Sequence, residues 1–168
     1  MKRFIGIATL AILVATTGYS QNLKFGHINS EELIQALPEF DSASVKIEQF
    51  RQELVNALEL MTVELNNKSD AYTKESKNLT EVVRQTKEQE LIDLNRRIQD
   101  FQTNAQTQLQ NKQVELFQPI YSKVDKAIKD VGKENGFTYV FDISNLLYFD
   151  ETKSTNITTL AKAKLGVK

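Results

Sequence analysis

The 168-residue chain contains no cysteine, and it has only two prolines and six glycines. Without cysteine it can form neither a disulfide nor the lipid-modified cysteine of a lipoprotein. Its stability must therefore come from packing or from association with other chains. The low proline and glycine content argues against a disordered chain.

Residue patterns for catalysis and metal binding are also scarce. The single histidine, His27, lies on a predicted strand, with no cysteine and no G-x-S-x-G motif that would supply a nucleophile beside it. The ligands of a usual zinc site are missing, and the isolated glycines form no phosphate-binding loop. Asp142, Asp150 and Glu151 lack the spacing of a calcium-binding EF-hand. The sequence predicts a non-enzymatic protein with no cofactor and no metal site.

The charge balance is close to neutral, with a formal net charge of −1. A nucleic-acid-binding protein needs a strong excess of basic residues, so nucleic acid is not an expected partner. One cluster departs from this balance, because residues 68–87 hold five basic and three acidic side chains. Such a cluster favours transient contact with anionic protein segments or a membrane surface. The alternative is an ordinary solvated helix end.

The first twenty residues have the pattern of a cleaved signal peptide. Lys2 and Arg3 precede an apolar run over residues 4–15, and the small residues Gly18 and Ser20 precede an expected cut before Gln21. The run is shorter than the roughly twenty apolar residues of a membrane-spanning helix. We therefore expect an exported protein with a mature chain of residues 21–168 and a formal net charge of −3.

Two long helices are predicted in the middle of the chain. Apolar residues recur there every three or four positions, as in a coiled coil, first from Ile47 to Leu65 and then from Leu91 to Val131. The first helix is expected to begin at a cap formed by Asp41 or Ser42. The turn between the helices is placed between Ser69 and Thr86, where the apolar pattern is weakest.

Short elements flank the helices and predict a small base. Strands are expected at residues 23–29, 137–143 and 146–150, with the last two joined by a tight turn at Ser144-Asn145. Short helices are expected at residues 30–37, capped by Asn29, and 157–165, capped by Asn156. Gly136 is expected to end the second long helix.

The predicted fold class is α+β, mostly α, with a long antiparallel helical hairpin on a small β-body. The arm spans about residues 44–114, and the body spans about residues 21–43 and 115–168 as part of one domain. Three strands are marginal alone, and their exposed edges and aromatic faces favour self-association. The candidate association residues in the body are Phe25, Ile28, Phe137, Tyr139, Phe141, Ile143, Leu147 and Phe149.

Some apolar residues of the arm exceed what a two-helix seam requires. They predict weak, dispersed contacts with an unfolded apolar protein, although the simpler alternative is that they only join the two helices. These candidate client-binding residues are Phe50, Met61, Tyr72, Val82, Val83 and Phe101.

Two stretches carry a family resemblance, FGHINSEELIQALPEF near the start and QPIYSKVDKAIKDVGKENGFTYVFD near the end. With the hairpin between them, the chain resembles the Skp (OmpH-like) family of periplasmic chaperones over essentially its whole mature length. The resemblance implies a homotrimer whose helical arms surround a cavity. It also implies an ATP-independent holdase, which keeps unfolded outer-membrane β-barrel proteins soluble in the periplasm. The alternative is a structural coiled-coil scaffold of the cell envelope.

Overall fold

The computed structural model describes residues 23–167, so the predicted signal peptide lies outside the described residues. The helices and strands follow the order β1 (Phe25–Ile28), α1 (Ser30–Gln35), α2 (Pro38–Glu75), α3 (Glu81–Glu134), β2 (Tyr139–Asp142), β3 (Thr155–Asn156) and α4 (Thr158–Leu165).

Helices α2 and α3 form the predicted antiparallel hairpin. Side-chain contacts join the two helices in reverse order, from Glu75 with Lys87 near the turn to Glu39 with Lys123 near the body. At 1.5 Å per residue, the 38 residues of α2 span about 57 Å and the 54 residues of α3 about 81 Å. A short 3₁₀ turn, Ser76–Asn78, lies in the predicted turn region and confirms its position.

The start of α2 differs from the prediction. The helix begins at Pro38, with Leu37 as its N-cap, and not after a cap at Asp41 or Ser42. Proline is favoured at the first position of a helix because its missing N–H would have no partner there in any case. Pro38 thus ends the short helix, as expected for a residue that disfavours helix before it, and also starts the long one.

The body has a single apolar core, to which the lower part of α3 makes a large contribution. Ile120, Val124 and Val131 from α3 pack with Leu33 and Leu37, which flank the break between α1 and α2. Ile28 and Ile157 are also buried in this core. Ile28, one of the candidate association residues, thus packs in the interior of its own chain.

The sheet of the body is parallel throughout, with strand order β2-β1-β3. Phe25 is paired with Tyr139, and His27 with Asn156. The predicted strand at residues 146–150 is wrong, although the chain does turn at Ser144-Asn145 after β2. Residues Ile143–Asn145 and Glu151–Lys153 instead form 3₁₀ turns, and the third strand is Thr155–Asn156.

Turns capped by aspartate side chains explain why the expected β-hairpin of residues 137–150 does not form. The carboxylate of Asp142 accepts a hydrogen bond from the backbone N–H of Ser144 at 3.1 Å, and that of Asp150 accepts one from Thr152 at 2.9 Å. Aspartate side chains that bond the backbone two residues later favour turns over extended strand. These two turns interrupt the alternating pattern on either side of Leu147.

Two of the three predicted helix ends agree with the structure. Asn29 Oδ1 accepts a hydrogen bond from the Glu32 N–H at 3.1 Å, as expected of the N-cap of α1. Gly136 has a φ of +66° just beyond the end of α3, in the left-handed region that glycine adopts most easily. The start of α4 differs, because the helix begins at Thr158 with Ile157 as its N-cap, one residue later than predicted. Asn156 Oδ1 still accepts a hydrogen bond from the Thr158 N–H at 2.9 Å.

We predict that Asp142 stabilises the body in a pH-dependent way. Partial burial raises the pKa of its carboxyl group, but hydrogen bonds from Ser30 and Ser144 outweigh this and hold the pKa below its ordinary value of 3.8. A lowered folded-state pKa contributes stability that is present above the ordinary value and is lost as the pH falls through the folded value. The difference in thermal midpoint between wild type and Asp142→Asn should be largest near neutral pH and should shrink as the pH falls below 3.8 and through the lowered folded-state pKa.

Thermal unfolding followed by circular dichroism from neutral to acidic pH measures this difference. Asp70→Asn, at an exposed position on the arm, is the matched control and should leave the midpoint unchanged at each pH. A constant difference between wild type and Asp142→Asn across the pH range would contradict the assignment.

Candidate functional site

The seam between α2 and α3 is thin. Leu94 and Ile98 of α3 are 1% and 7% exposed. Seam residues toward the body, such as Leu54 and Leu58, are only half-buried. Because two helices cannot enclose a wide apolar stripe, much of the apolar surface of the arm remains accessible to a binding partner.

An apolar groove lies on the arm between Leu94 and the body. It has a volume of about 220 Å³, and its lining includes Leu54, Leu58 and Phe101. Ala105 also lines it, and its small side chain leaves space that a larger residue would fill. The remaining lining residues are Arg51, Val55, Gln102, Gln106 and Leu109.

The accessible surface of this groove is almost entirely apolar, although Arg51, Gln102 and Gln106 are among its lining residues. Arg51 is bound by Glu48 on its own helix, with Arg51 Nε 2.9 Å from a Glu48 carboxylate oxygen. This pairing lowers the pKa of Glu48 and raises that of Arg51. The groove can therefore accept an apolar side chain.

The predicted client-binding residues do not form one cluster. Val82 and Val83 are exposed near the start of α3, with 73% of Val82 accessible. Phe50 and Met61 are half-buried at separate positions along α2. Phe101 lines the groove. The surface they suggest is consequently dispersed along the length of the arm.

Tyr72, another candidate, makes a contact within the hairpin. Its hydroxyl donates a hydrogen bond to the carboxylate of Glu88 across the hairpin. That bond and partial burial raise the pKa of Tyr72 above its ordinary value. The contact ties the two helices together near the turn and leaves the tyrosine ring half-buried.

Several exposed apolar residues of the arm were not among the candidates. Leu60 is 72% exposed, and Ile92 and Val114 are almost as accessible. Leu60 and Ile92 lie outside the apolar stripes that predict the seam, so the apolar residues that remain once the stripes are set aside would have included them. Val114 belongs to the predicted stripe of the second helix, but the structure leaves it exposed. The full set of further exposed apolar residues on α2 and α3 is Val45, Val55, Leu60, Val63, Ile92, Val114 and Tyr121.

The basic residues near the turn are largely paired. Lys68 lies 3.7 Å from Glu90, and Lys87 lies 3.6 Å from Glu75, in both cases across the hairpin. Arg84 pairs with Glu81 on its own helix, which raises the pKa of Arg84 and lowers that of Glu81. Three of the five basic side chains of residues 68–87 are thus engaged, which weakens the expectation of a basic contact surface.

The outer face of the body carries a second apolar surface. The rings of Phe25, Tyr139 and Phe141 stack with centroid distances of 6.0 to 6.2 Å. Both Tyr139 and Phe141 are exposed, and Leu147 is completely exposed in the loop between the two 3₁₀ turns. We call Tyr139, Phe141, Leu147 and Tyr148 the body face.

The remaining candidates in the body are partly buried. Phe137 packs on the core, with the Lys24 ammonium 4.2 Å from its ring centre. Phe149 packs on His27, with ring centres 4.8 Å apart. His27 is itself buried, and its Nδ1 lies 2.7 Å from the Ser154 hydroxyl oxygen. Ile143 is half-buried in its 3₁₀ turn.

No helix within residues 23–167 is long and apolar enough to cross a membrane. The same residues contain no cluster of three or more His, Cys, Asp or Glu side chains that could hold a metal ion.

We predict that the arm and the body can be destabilised separately. Leu94→Ala removes the most deeply buried side chain of the seam, and substitutions of this kind cost about 2–5 kcal/mol where the site cannot collapse. Hydrogen exchange should accelerate in α2 and in the facing part of α3, while the amides of α1 and α4 keep their protection. Ile92→Ala, at an exposed position two residues away, is the control and should leave exchange unchanged. Equal acceleration in arm and body would show that they unfold as one unit.

The sequence of this chain is similar to one family profile and to bacterial proteins. The family profile described as "Outer membrane protein (OmpH-like)" matches residues 24–165. The chain is 24% identical to "Chaperone protein Skp" of Yersinia enterocolitica over 98% of its own length and 100% of that protein. It is 29% identical to an uncharacterized protein of Aquifex aeolicus, over 90% of this chain and 89% of that one.

A solved structure has the same fold. It is the crystal structure of a protein from Caulobacter crescentus CB15 described as an OmpH-like outer membrane chaperone, with a TM-score of 0.72 and 12% identity. The match covers 85% of this chain and 83% of the other. The expected fold class is thereby confirmed, and the relationship to a chaperone supports the expectation of a non-enzymatic protein. The chain belongs to the OmpH-like outer membrane protein family, to which the chaperone Skp also belongs.

Proposed function

We propose that this protein is an ATP-independent holdase of the periplasm, exported by a signal peptide at residues 1–20. Its clients are unfolded outer-membrane β-barrel proteins, which it keeps soluble before membrane insertion, and it requires no cofactor. This proposal rests on one observation: exposed apolar side chains are dispersed along a polar arm. Leu60, Val82, Ile92 and Val114 are the most exposed of these on the arm.

Dispersed contacts suit a client that must be held without being folded. Burying apolar surface contributes about 25 cal/mol per Å², so each exposed side chain offers only a small gain. Several such contacts acting together hold a chain, while each one breaks easily. A single large apolar patch would instead favour aggregation of the chaperone itself.

The groove beside Phe101 suits the same class of client. Strands of outer-membrane barrels alternate apolar and polar residues, with aromatic residues near both membrane interfaces. In an unfolded barrel protein these apolar side chains are spaced along an extended chain. The groove has an apolar lining, which includes Leu54, Leu58 and Phe101, that can accept one such side chain.

Self-association through the body is the second part of the proposal. Within the described residues, β2 and β3 each pair only with β1, so both edges of the sheet are open. Tyr139 and Phe141 of the body face lie on the edge strand β2, and exposed apolar surface on an open strand edge favours pairing with another chain. We propose a homotrimer in which three bodies bury these faces and three arms surround a cavity for the client.

We predict that the arm suppresses client aggregation without nucleotide. Diluting a urea-unfolded outer-membrane β-barrel protein into buffer should give strong light scattering, which one trimer per client should suppress. The variant carrying Leu60→Ser, Val82→Ser, Ile92→Ser and Val114→Ser should need about tenfold more protein for the same suppression, corresponding to a loss of about 1.4 kcal/mol. These residues are exposed, so the fold should be retained.

The matched control replaces four exposed polar residues of the arm with serine, at Asn66, Asn104, Gln108 and Gln110. It should suppress scattering as well as wild type does. If wild type leaves scattering unchanged, the holdase proposal is wrong, and a scaffold with one folded partner becomes the better hypothesis. If both quadruple variants lose suppression equally, the exposed apolar residues are not the binding surface.

We predict that the body face holds the trimer together. Light scattering coupled to gel filtration at micromolar concentration should give three times the mass of the mature chain. Leu147→Ser combined with Tyr148→Ser should shift the protein toward monomer, because these side chains lose apolar area that the trimer would bury. Leu160→Ser, which alters an exposed leucine of α4, should leave the mass unchanged. A monomeric wild type would refute the assembly.

A further inference from the structure

The junction between α3 and β2 contains the one Asn-Gly step of the sequence, Asn135-Gly136. Asn135 is the C-cap of α3, and Gly136 follows with a φ of +66°. The Gly136 N–H donates to the Lys133 carbonyl at 3.3 Å, and the Phe137 N–H donates to the Gly132 carbonyl at 2.9 Å. This pair of bonds is a Schellman motif, which requires a residue that tolerates positive φ. Glycine at this position is therefore dictated by the way the helix ends.

The same dipeptide is chemically labile. The backbone nitrogen of a glycine has no neighbouring side chain to hinder it, so it can attack the Cγ of the preceding asparagine. The new N–Cγ bond closes a five-membered succinimide, the nitrogen loses its proton, and the side-chain amide leaves as ammonia. Water then opens the ring at either carbonyl and gives aspartate or isoaspartate. The net reaction consumes one water and releases one ammonia.

In the folded chain, the Asn135 side-chain amide and the Gly136 backbone N–H are both hydrogen-bonded to carbonyl groups of α3. The Asn135 side-chain amide is turned back along the helix, where Nδ2 donates to the Val131 carbonyl at 2.8 Å. The attacking nitrogen would be that of Gly136, whose N–H is held by Lys133. We propose that Asn135 is a site of spontaneous deamidation that the native end of α3 suppresses, so that modification is confined to the time the chain spends unfolded.

The modification would damage the junction that positions the sheet. A carboxylate at residue 135 cannot donate to the Val131 carbonyl, and its negative charge is unfavourable at a helix C-terminus. Isoaspartate would also insert a methylene group into the backbone between α3 and β2. The Asn135 carbonyl accepts a bond from Lys24 Nζ at 2.8 Å, next to β1, so a shift here would disturb the pairing of Phe25 with Tyr139.

The test compares deamidation of the mature chain when folded and when unfolded. Samples are held at mildly alkaline pH with and without denaturing urea, and peptide mapping by mass spectrometry follows the conversion of each asparagine. In urea, Asn135 should react faster than any other asparagine. In the folded chain its conversion should slow by about tenfold or more, because reaction then requires local opening.

Asn145 provides an internal control in the same digest. It is exposed in a 3₁₀ turn but precedes the bulky Leu146, so it should react slowly in both samples. Equal rates at Asn135 in folded and unfolded chain would refute protection by the helix end. A faster site elsewhere in the unfolded chain would refute the assignment of the labile residue.

A second measurement tests the consequence for the fold. Asn135→Asp reproduces one product of the reaction and should lower the thermal midpoint by several degrees, whereas Asn145→Asp should not. An unchanged midpoint in Asn135→Asp would show that the α-aspartate product is harmless to the junction, which would contradict the proposed damage.

Discussion

Two helices of 38 and 54 residues hold together along a seam in which, across residues 44–114, only Leu94 and Ile98 are buried. Two helices alone cannot bury more side chains than this, because each contributes one apolar stripe and its other sides face solvent. The arm must therefore stay polar to remain soluble. Ion pairs across the hairpin, such as Lys68 with Glu90, replace apolar packing toward the turn. Exposed pairs of this kind contribute little, so the end of the arm should be its least stable part.

The body stabilises the weakly packed arm because helix α3 runs through both. The residues of α3 that follow the arm continue its apolar pattern and supply Ile120, Val124 and Val131 to the core. The long helix is therefore fixed at one end by a packed core and is held along the rest of its length by the thin seam with α2. Its attachment to β2 through the Schellman motif at Gly136 determines where the arm points relative to the sheet.

Features that depend on the chemistry of neighbouring residues were predictable from the sequence. Features that depend on competition between two local structures, such as a strand and a turn, were not. The two helical stripes, the turn region and the helix ends at Asn29 and Gly136 each rest on neighbouring residues, and the structure agrees with them. The segment around Leu147 reads as a strand, yet Asp142 and Asp150 form turns on both sides of it. Exposed residues such as Leu60 were missed because a search for periodicity finds the seam and disregards what lies outside it.

The exposed residues are better explained by binding than by defective packing. A helix that only had to remain folded would gain solubility from a polar residue at Leu60 or Val114, because neither position contributes to the seam or the core. Their spacing also matters, since separate apolar residues with polar neighbours do not create one continuous adhesive patch. The body face differs, because Leu147 and Tyr148 are adjacent and both are highly exposed. Concentrated apolar surface suits permanent association of the bodies, and dispersed apolar surface suits reversible capture by the arms.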